Sequence, residues 1–230
     1  MEFDAASRKT YNQEIVRFFK RKEVWVLTWL GWAFALAVLF GMAVCFFTFA
    51  HVFLSVNAPV EANVIVVEGW LPDYAMKEAV QEFNEKGYEY IVAAGGPMPL
   101  GQLVSGYTTF ASIAGATLQK LHIPKDRLIE APGAMTYRNR TFESAKAVKT
   151  RLRELGISVR GLNVVSEGPH ARRTRLVYRK VFGKGTSVGI LSVISRDYDA
   201  QRWWGSSEGA KTTLSEGLGW FFENLISVRR

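Results

Sequence analysis

The sequence predicts an α/β domain behind one N-terminal transmembrane helix, the domain being a five-stranded parallel sheet with helices on both faces. Two observations carry this. From Val24 to Val56 the chain reads VWVLTWLGWAFALAVLFGMAVCFFTFAHVFLSV, 33 residues without one Lys, Arg, Asp or Glu. After Pro59, short β-branched runs alternate with stretches of helical periodicity, the pattern that βαβ units leave in a sequence.

The uncharged run is longer than the ~20 residues a helix needs to span a bilayer, and longer than a secretory h-region, with no small-x-small cleavage site after it. Arg8, Lys9, Arg17, Lys20, Arg21 and Lys22 precede it, and the next basic residue is Lys77. The positive-inside rule therefore places residues 1–23 in the cytoplasm as a short amphipathic arm, and the rest of the chain outside it. Trp25, Trp29 and Trp32 suit an aromatic belt. The expected organisation is an arm (1–23), a span (24–56), a linker (57–61) and one α/β domain (62–230) in the inner membrane of a cell envelope. With 230 residues, a net charge of +8 and 48% hydrophobic residues, the chain is globular rather than disordered.

Asn63 to Val67 (NVIVV) reads as a buried first strand, and Met76, Ala79, Val80 and Phe83 as the apolar face of a helix ending at Gly87. Tyr90 to Ala94 is the second strand. Tyr107, Phe110, Ala114, Leu118 and Leu121 mark a helix that stops before Pro124. Arg127 to Glu130 is the third strand. Phe142, Ala145, Val148, Leu152 and Leu155 form an apolar stripe between Asn139, a candidate N-cap, and Gly156. Leu162 to Val165 is the fourth strand, followed by a helix running to Gly183, and Val188 to Ile194 is the fifth. A last helix from about Ser207 carries Leu214, Leu218, Phe221 and Leu225 as its apolar stripe.

In a parallel sheet every strand-to-helix loop falls on one edge, where such folds bind ligands. These loops are varied: EGWLPD, GGPMPLGQLVSGY, PGAMTYRNRT, SEGPHARRTR and SRDYDAQRWWGSSEG. The opposite loops, KGY, HIPKDR, LGISVRG and FGKGT, read as plain turns. Arginines at helix starts stand out, because the helix dipole disfavours a cation there by up to about 1 kcal/mol. A bound phosphate or carboxylate would reverse that sign. Arg140, Arg172 and Arg173 are therefore candidate anion ligands; a solvated basic face is the alternative. His170 is a candidate proton donor or acceptor, or a hydrogen-bond donor to the same anion.

The loop GGPMPLG matches neither a dinucleotide fingerprint nor a P-loop, and reads as a turn with room for a mobile flap. Trp203 and Trp204 can stack on a ring or hold lipid, or pack against the end of the sheet. Ser206 or Ser207 with Glu208 forms a helix start, and Asp73 can cap its own helix. The single cysteine, Cys45, lies in the span, so the domain has no disulfide and no cysteine nucleophile. No metal site is expected from one histidine without neighbours, any cofactor is left unknown, and Ser166 and Ser207 lack a nucleophile elbow.

The ordered set VIVVEGWLPD, a strand ending in GG, NRTFESA and VVSEGPHARRTR resembles the YdcF-like/SanA/ElyC family of bacterial envelope-associated proteins over roughly residues 62 to 226. The matching positions are Arg140, Thr141, Glu143, Ser144 and Ala145, and His170, Arg172 and Arg173. Glu68-Gly69-Trp70 replaces the usual glycine-rich end of the first strand, and WWGSSEG departs from the pattern. The resemblance implies a Rossmann-like domain with strand order 3-2-1-4-5. Glu68, Trp70 and Asp73 would then face His170, Arg172 and Arg173 across one crevice flanked by Arg140, Thr141, Gly95 and Gly96. Trp204 and Glu208 are further candidate binding residues. The expected partner is an anionic small molecule or lipid-linked phosphate rather than nucleic acid. In the enzymatic reading His170 transfers a proton and Glu68 or Glu143 orients it; in the rival readings the domain is a non-catalytic phosphate sensor or a partner-binding envelope protein.

Overall fold

A computed structural model describes residues 24–136 and 138–225, so the predicted cytoplasmic arm lies outside the described residues. The chain divides at Gly41 into two compact units. Helix α1, Trp29–Leu54, is long and apolar enough to cross a membrane, at about 39 Å for its 26 residues.

Five parallel strands form one sheet in the order β3-β2-β1-β4-β5: β1 Val64–Glu68, β2 Tyr90–Gly95, β3 Leu128–Pro132, β4 Gly161–Glu167 and β5 Ser187–Val193. Strand order reverses between β1 and β4, which pair at Val64↔Leu162 and Val66↔Val164. Every residue of β1 is buried, because alternate side chains enter cores on opposite faces. Val64, Val66, Val92 and Val164 pack with Val148 and Leu152 of α5 (Arg140–Glu154) and with Val177 and Tyr178 of α6 (His170–Phe182). Ile65, Val67, Ile91 and Val165 pack with Ala79 and Phe83 of α2 (Asp73–Lys86) and with Ala114 and Leu118 of α4 (Phe110–Lys120). A four-residue helix, α3 (Gln102–Ser105), fills the long loop after β2.

The linker is tied to the sheet by one buried amide. Asn163 donates to the Val60 carbonyl at 2.8 Å, accepts from the Val60 N–H at 2.9 Å, and donates to the Tyr88 hydroxyl at 2.7 Å. Burial of that hydroxyl pushes its pKa up to about 12.

Four local expectations are corrected. The stripe Leu214, Leu218, Phe221 and Leu225 of α7 (Ser207–Leu225) faces outward, with Leu218 72% exposed. The reason is that α7 packs on α6 and turns its acidic face inward, pairing Glu216 with Arg173 and Glu223 with Lys180. Asn139 has φ 56° and makes no side-chain cap bond, and neither does Asp73, which follows the cap position Pro72. Trp203 is buried against α1 rather than the sheet end: its ring stacks on Phe47 at 5.6 Å and its indole N–H donates to the Phe47 carbonyl. The N-cap of α7 is Ser206, whose hydroxyl accepts from the Gly209 N–H at 3.1 Å.

Candidate functional site

The carboxyl ends of β1, β2 and β3 and the starts of α5 and α6 surround a cavity of about 580 Å³. Its floor exists because a glycine follows β1 and another ends β2. A Cβ at Gly69 would stand 2.3 Å from the Phe110 carbonyl oxygen, and one at Gly95 would stand 2.6 Å from the Phe110 Cβ. Only glycine lets the start of α4 approach the strand ends this closely.

At the centre is an imidazole between two carboxylates. Nε2 of His170 lies 3.4 Å from Glu68 Oε1, and Nδ1 lies 3.0 Å from Glu216 Oε1. Glu68, itself buried, also accepts from the Ser166 hydroxyl at 2.5 Å and the Thr174 hydroxyl at 3.3 Å. Arg173 grips Glu216 with Nε at 2.7 Å and Nη2 at 3.0 Å, a two-pronged pair. Burial works against a charge on His170, but Glu68 and Glu216 outweigh it and lift its pKa to about 9. Burial likewise opposes ionisation of Glu216, but His170 and Arg173 outweigh it and hold its carboxyl down at about 2. His170 is therefore an imidazolium at neutral pH. Nη2 of Arg173 also stands 3.0 Å from Nδ1; with the ring charged, this is two cations sharing Glu216 rather than a hydrogen bond. The Trp70 indole meets the His170 ring edge-to-face, centroids 5.3 Å apart.

The structure gathers nine of the sequence-derived candidates around this one cavity: Glu68, Trp70, Gly95, Gly96, Arg140, Thr141, Glu143, His170 and Arg173. Glu143 lines the wall but pairs with Lys146 at 3.4 Å rather than with His170, so Glu68 alone of the two expected carboxylates touches the imidazole. Arg172 does not enter the cavity. Its guanidinium sits 3.8 Å from the Phe53 ring centroid, and its Nε donates to the Phe53 carbonyl, so it is spent on holding α1. Asp73 is exposed outside the cavity, and Trp204 meets Phe47 edge-to-face. Glu208 lines a second cavity of about 290 Å³ on the far side of His170, with Glu167, Tyr198 and Lys211. The Tyr74 hydroxyl donates to Glu167 beside it.

Sequence reasoning missed Glu216 and Glu223, both of which line the main cavity. A signal for them was present: Glu216 and Glu223 are seven apart on α7, as Arg173 and Lys180 are on α6, and the pairs match.

Every carboxylate lining the main cavity thus has a cation partner. Arg140 differs: among the described residues no carboxylate lies within pairing distance of it. It opens α5 where no side chain caps the helix. Among the described residues no cluster of three or more His, Cys, Asp or Glu side chains is placed to hold a metal ion. Comparison with models of known protein families gives no match. Comparison with curated proteins gives no match either.

Proposed function

We propose that the chain is a single-pass inner-membrane protein, akin to a divergent YdcF-like/SanA/ElyC protein. In this reading its α/β domain lies outside the cytoplasm and binds the phosphate-type anionic head of an envelope ligand, free or lipid-linked. The orientation rests on the basic residues that precede the span. The binding reading rests on one observation: among the described residues Arg140 has no carboxylate partner, and it stands at the uncapped start of α5 in a cavity whose lining carboxylates each have a cation partner. Open N–H groups, the helix dipole and a guanidinium fork together favour a phosphate oxygen. Arg173 and His170 act as a fixed, balanced floor beneath it, not as waiting anion ligands.

Thermal unfolding of the full chain in detergent, with inorganic phosphate, pyrophosphate or farnesyl phosphate, tests this. A ligand at about 100 times its Kd adds about 2.7 kcal/mol of stability. At least one of the three raises Tm in the wild type and raises it about half as much in Arg140→Ala, as a tenfold weaker Kd requires; no shift with any of them removes the proposal.

A second reading, turnover of the bound phosphate ester, is favoured by the charge on His170. In hydrolysis a water attacks the phosphorus while His170 gives the Nε2 proton, the more loosely held of its two at 3.4 Å from Glu68, to the leaving oxygen. His170→Gln then keeps anion binding and loses turnover. The partner-binding reading has less support, since three residues of the basic face of α6 are engaged within the chain: Arg172 by Phe53, Arg175 by the Val188 carbonyl and Lys180 by Glu223.

A further inference from the structure

The loop between β2 and α4 is a closed hairpin with an apolar tip. Its stem is pinned by the Pro97↔Thr109 bridge, by Met98 N–H to the Thr108 carbonyl at 3.0 Å, and by Phe110 N–H to the Gly96 carbonyl at 2.8 Å. Gly101 and Gly106, with φ 84° and 74°, turn the chain on either side of α3. The tip residues Leu100, Leu103 and Val104 are 83%, 103% and 94% exposed. No Lys, Arg, Asp or Glu occurs from Tyr90 to Gln119, so the tip has no charge to desolvate. An exposed apolar patch of this kind marks a surface that is covered by something else.

The path of the chain says which way the tip points. Phe47 lies against Trp203 and Trp204, and His51 bonds the Tyr198 hydroxyl at 3.1 Å; all three partners follow the carboxyl end of β5. Ala58 then pairs antiparallel with Ile190 in the middle of β5. Glu61 reaches Gly161, the first residue of β4, and Val64 opens β1. From Phe47 to Val64 the chain thus descends from beyond the carboxyl edge of the sheet to its amino edge. The chain comes off its apolar run on the carboxyl side of the sheet. The hairpin projects from that same edge, and Pro97 at its base lines the cavity together with Met135, itself 69% exposed.

We propose that the hairpin of residues 97–109 is a second membrane contact, dipping Leu100, Leu103 and Val104 into the bilayer beside the cavity mouth. The ligand then enters from the lipid surface, head first, instead of from bulk water. The placement of the tip rests on the reading that α1 crosses a bilayer, whereas the entry route rests on the anion-cleft reading above. Arg138, Arg140, Arg196 and Arg202 come from the loops on this edge, where lipid headgroup phosphates would lie.

The test uses the full chain in nanodiscs of phosphatidylethanolamine and phosphatidylglycerol, with Cys45→Ser and a nitroxide on Leu103→Cys or, at the opposite edge, on Lys184→Cys. Both positions are exposed, so labelling leaves the core intact. The expected result is faster relaxation of the Leu103 label by oxygen than by a water-soluble nickel chelate, and the reverse at Lys184. A Leu103 label that favours the nickel chelate, as Lys184 does, overturns the proposal. So does a label shielded from both reagents with spin–spin broadening, which would place a second copy of this chain on the hairpin. Neither result depends on whether Arg140 binds an anion, which the Tm measurements address separately.

Discussion

Glu68 Oε1 lies 3.4 Å from His170 Nε2, joining the last residue of β1 to the first residue of α6 across the point where strand order reverses. The contact places a negative charge from one strand end against a cation at a helix start, where the helix dipole alone would disfavour it. Glu216 closes the other side of the ring and fastens α7 to α6.

Glu216→Gln removes the charge that His170 and Arg173 share. Breaking a buried pair from one side leaves an uncompensated charge and costs about 3 kcal/mol. Glu223→Gln loses a pair whose lysine stays 27% exposed and costs about 1 kcal/mol or less. Denaturant melts of the two variants check the ranking.

The same groups set the pH dependence. The His170 pKa is raised from 6.5 to about 9 on folding, so its contribution is complete below pH 6.5 and is lost as pH rises through 9. The Glu216 pKa is lowered from 4.5 to about 2, so its contribution is complete above pH 4.5 and is lost as pH falls through 2. Stability therefore declines on both sides of a plateau between these limits, by on the order of 3 kcal/mol at each end. In His170→Gln the decline between pH 6.5 and 9 flattens, which urea midpoints across that range measure.

Arg140 and Arg172 divide by function. Arg140→Ala weakens phosphate-type anion binding by about tenfold, the loss of one charge-assisted contact. Arg172→Ala leaves binding unchanged and costs about 1 kcal/mol, because it loses the ring of Phe53. Binding isotherms and thermal melts on both variants separate the two effects.

Gly69→Ala drives a methyl group to 2.3 Å from the Phe110 carbonyl oxygen, a backbone atom that cannot swing aside. The start of α4 must move off the strand ends. The expected cost is about 3 kcal/mol, with the cavity floor disturbed, whereas Gly87→Ala meets no neighbour and pays only for its φ of 69°. Melts of both variants compare them.

The sheet was legible because parallel strands are buried on both faces, and runs such as VIVV and IVAA have no other use. Strand order came from a family resemblance rather than from periodicity, and the observed order agrees with it. What sequence could not supply was the pairing of distant charges. Read in isolation, Arg172 and Arg173 are cations at a helix start awaiting an anion. In the fold one rests on Phe53 and the other on Glu216, residues more than a hundred positions before and some forty after them. The stripe on α7 misled for a related reason: periodicity shows that a helix has two faces, not which face turns inward, and here the charges of α6 decided it.

The central claim is that His170 is an imidazolium held between two carboxylates. An NMR pH titration of the histidine ring resonances measures it directly. The chain has only three histidines, so His170→Gln assigns the signal. The expected midpoint is about 9, falling toward the ordinary value in Glu216→Gln. A midpoint at or below 6.5 in the wild type would mean that burial outweighs both carboxylates, and would contradict the account.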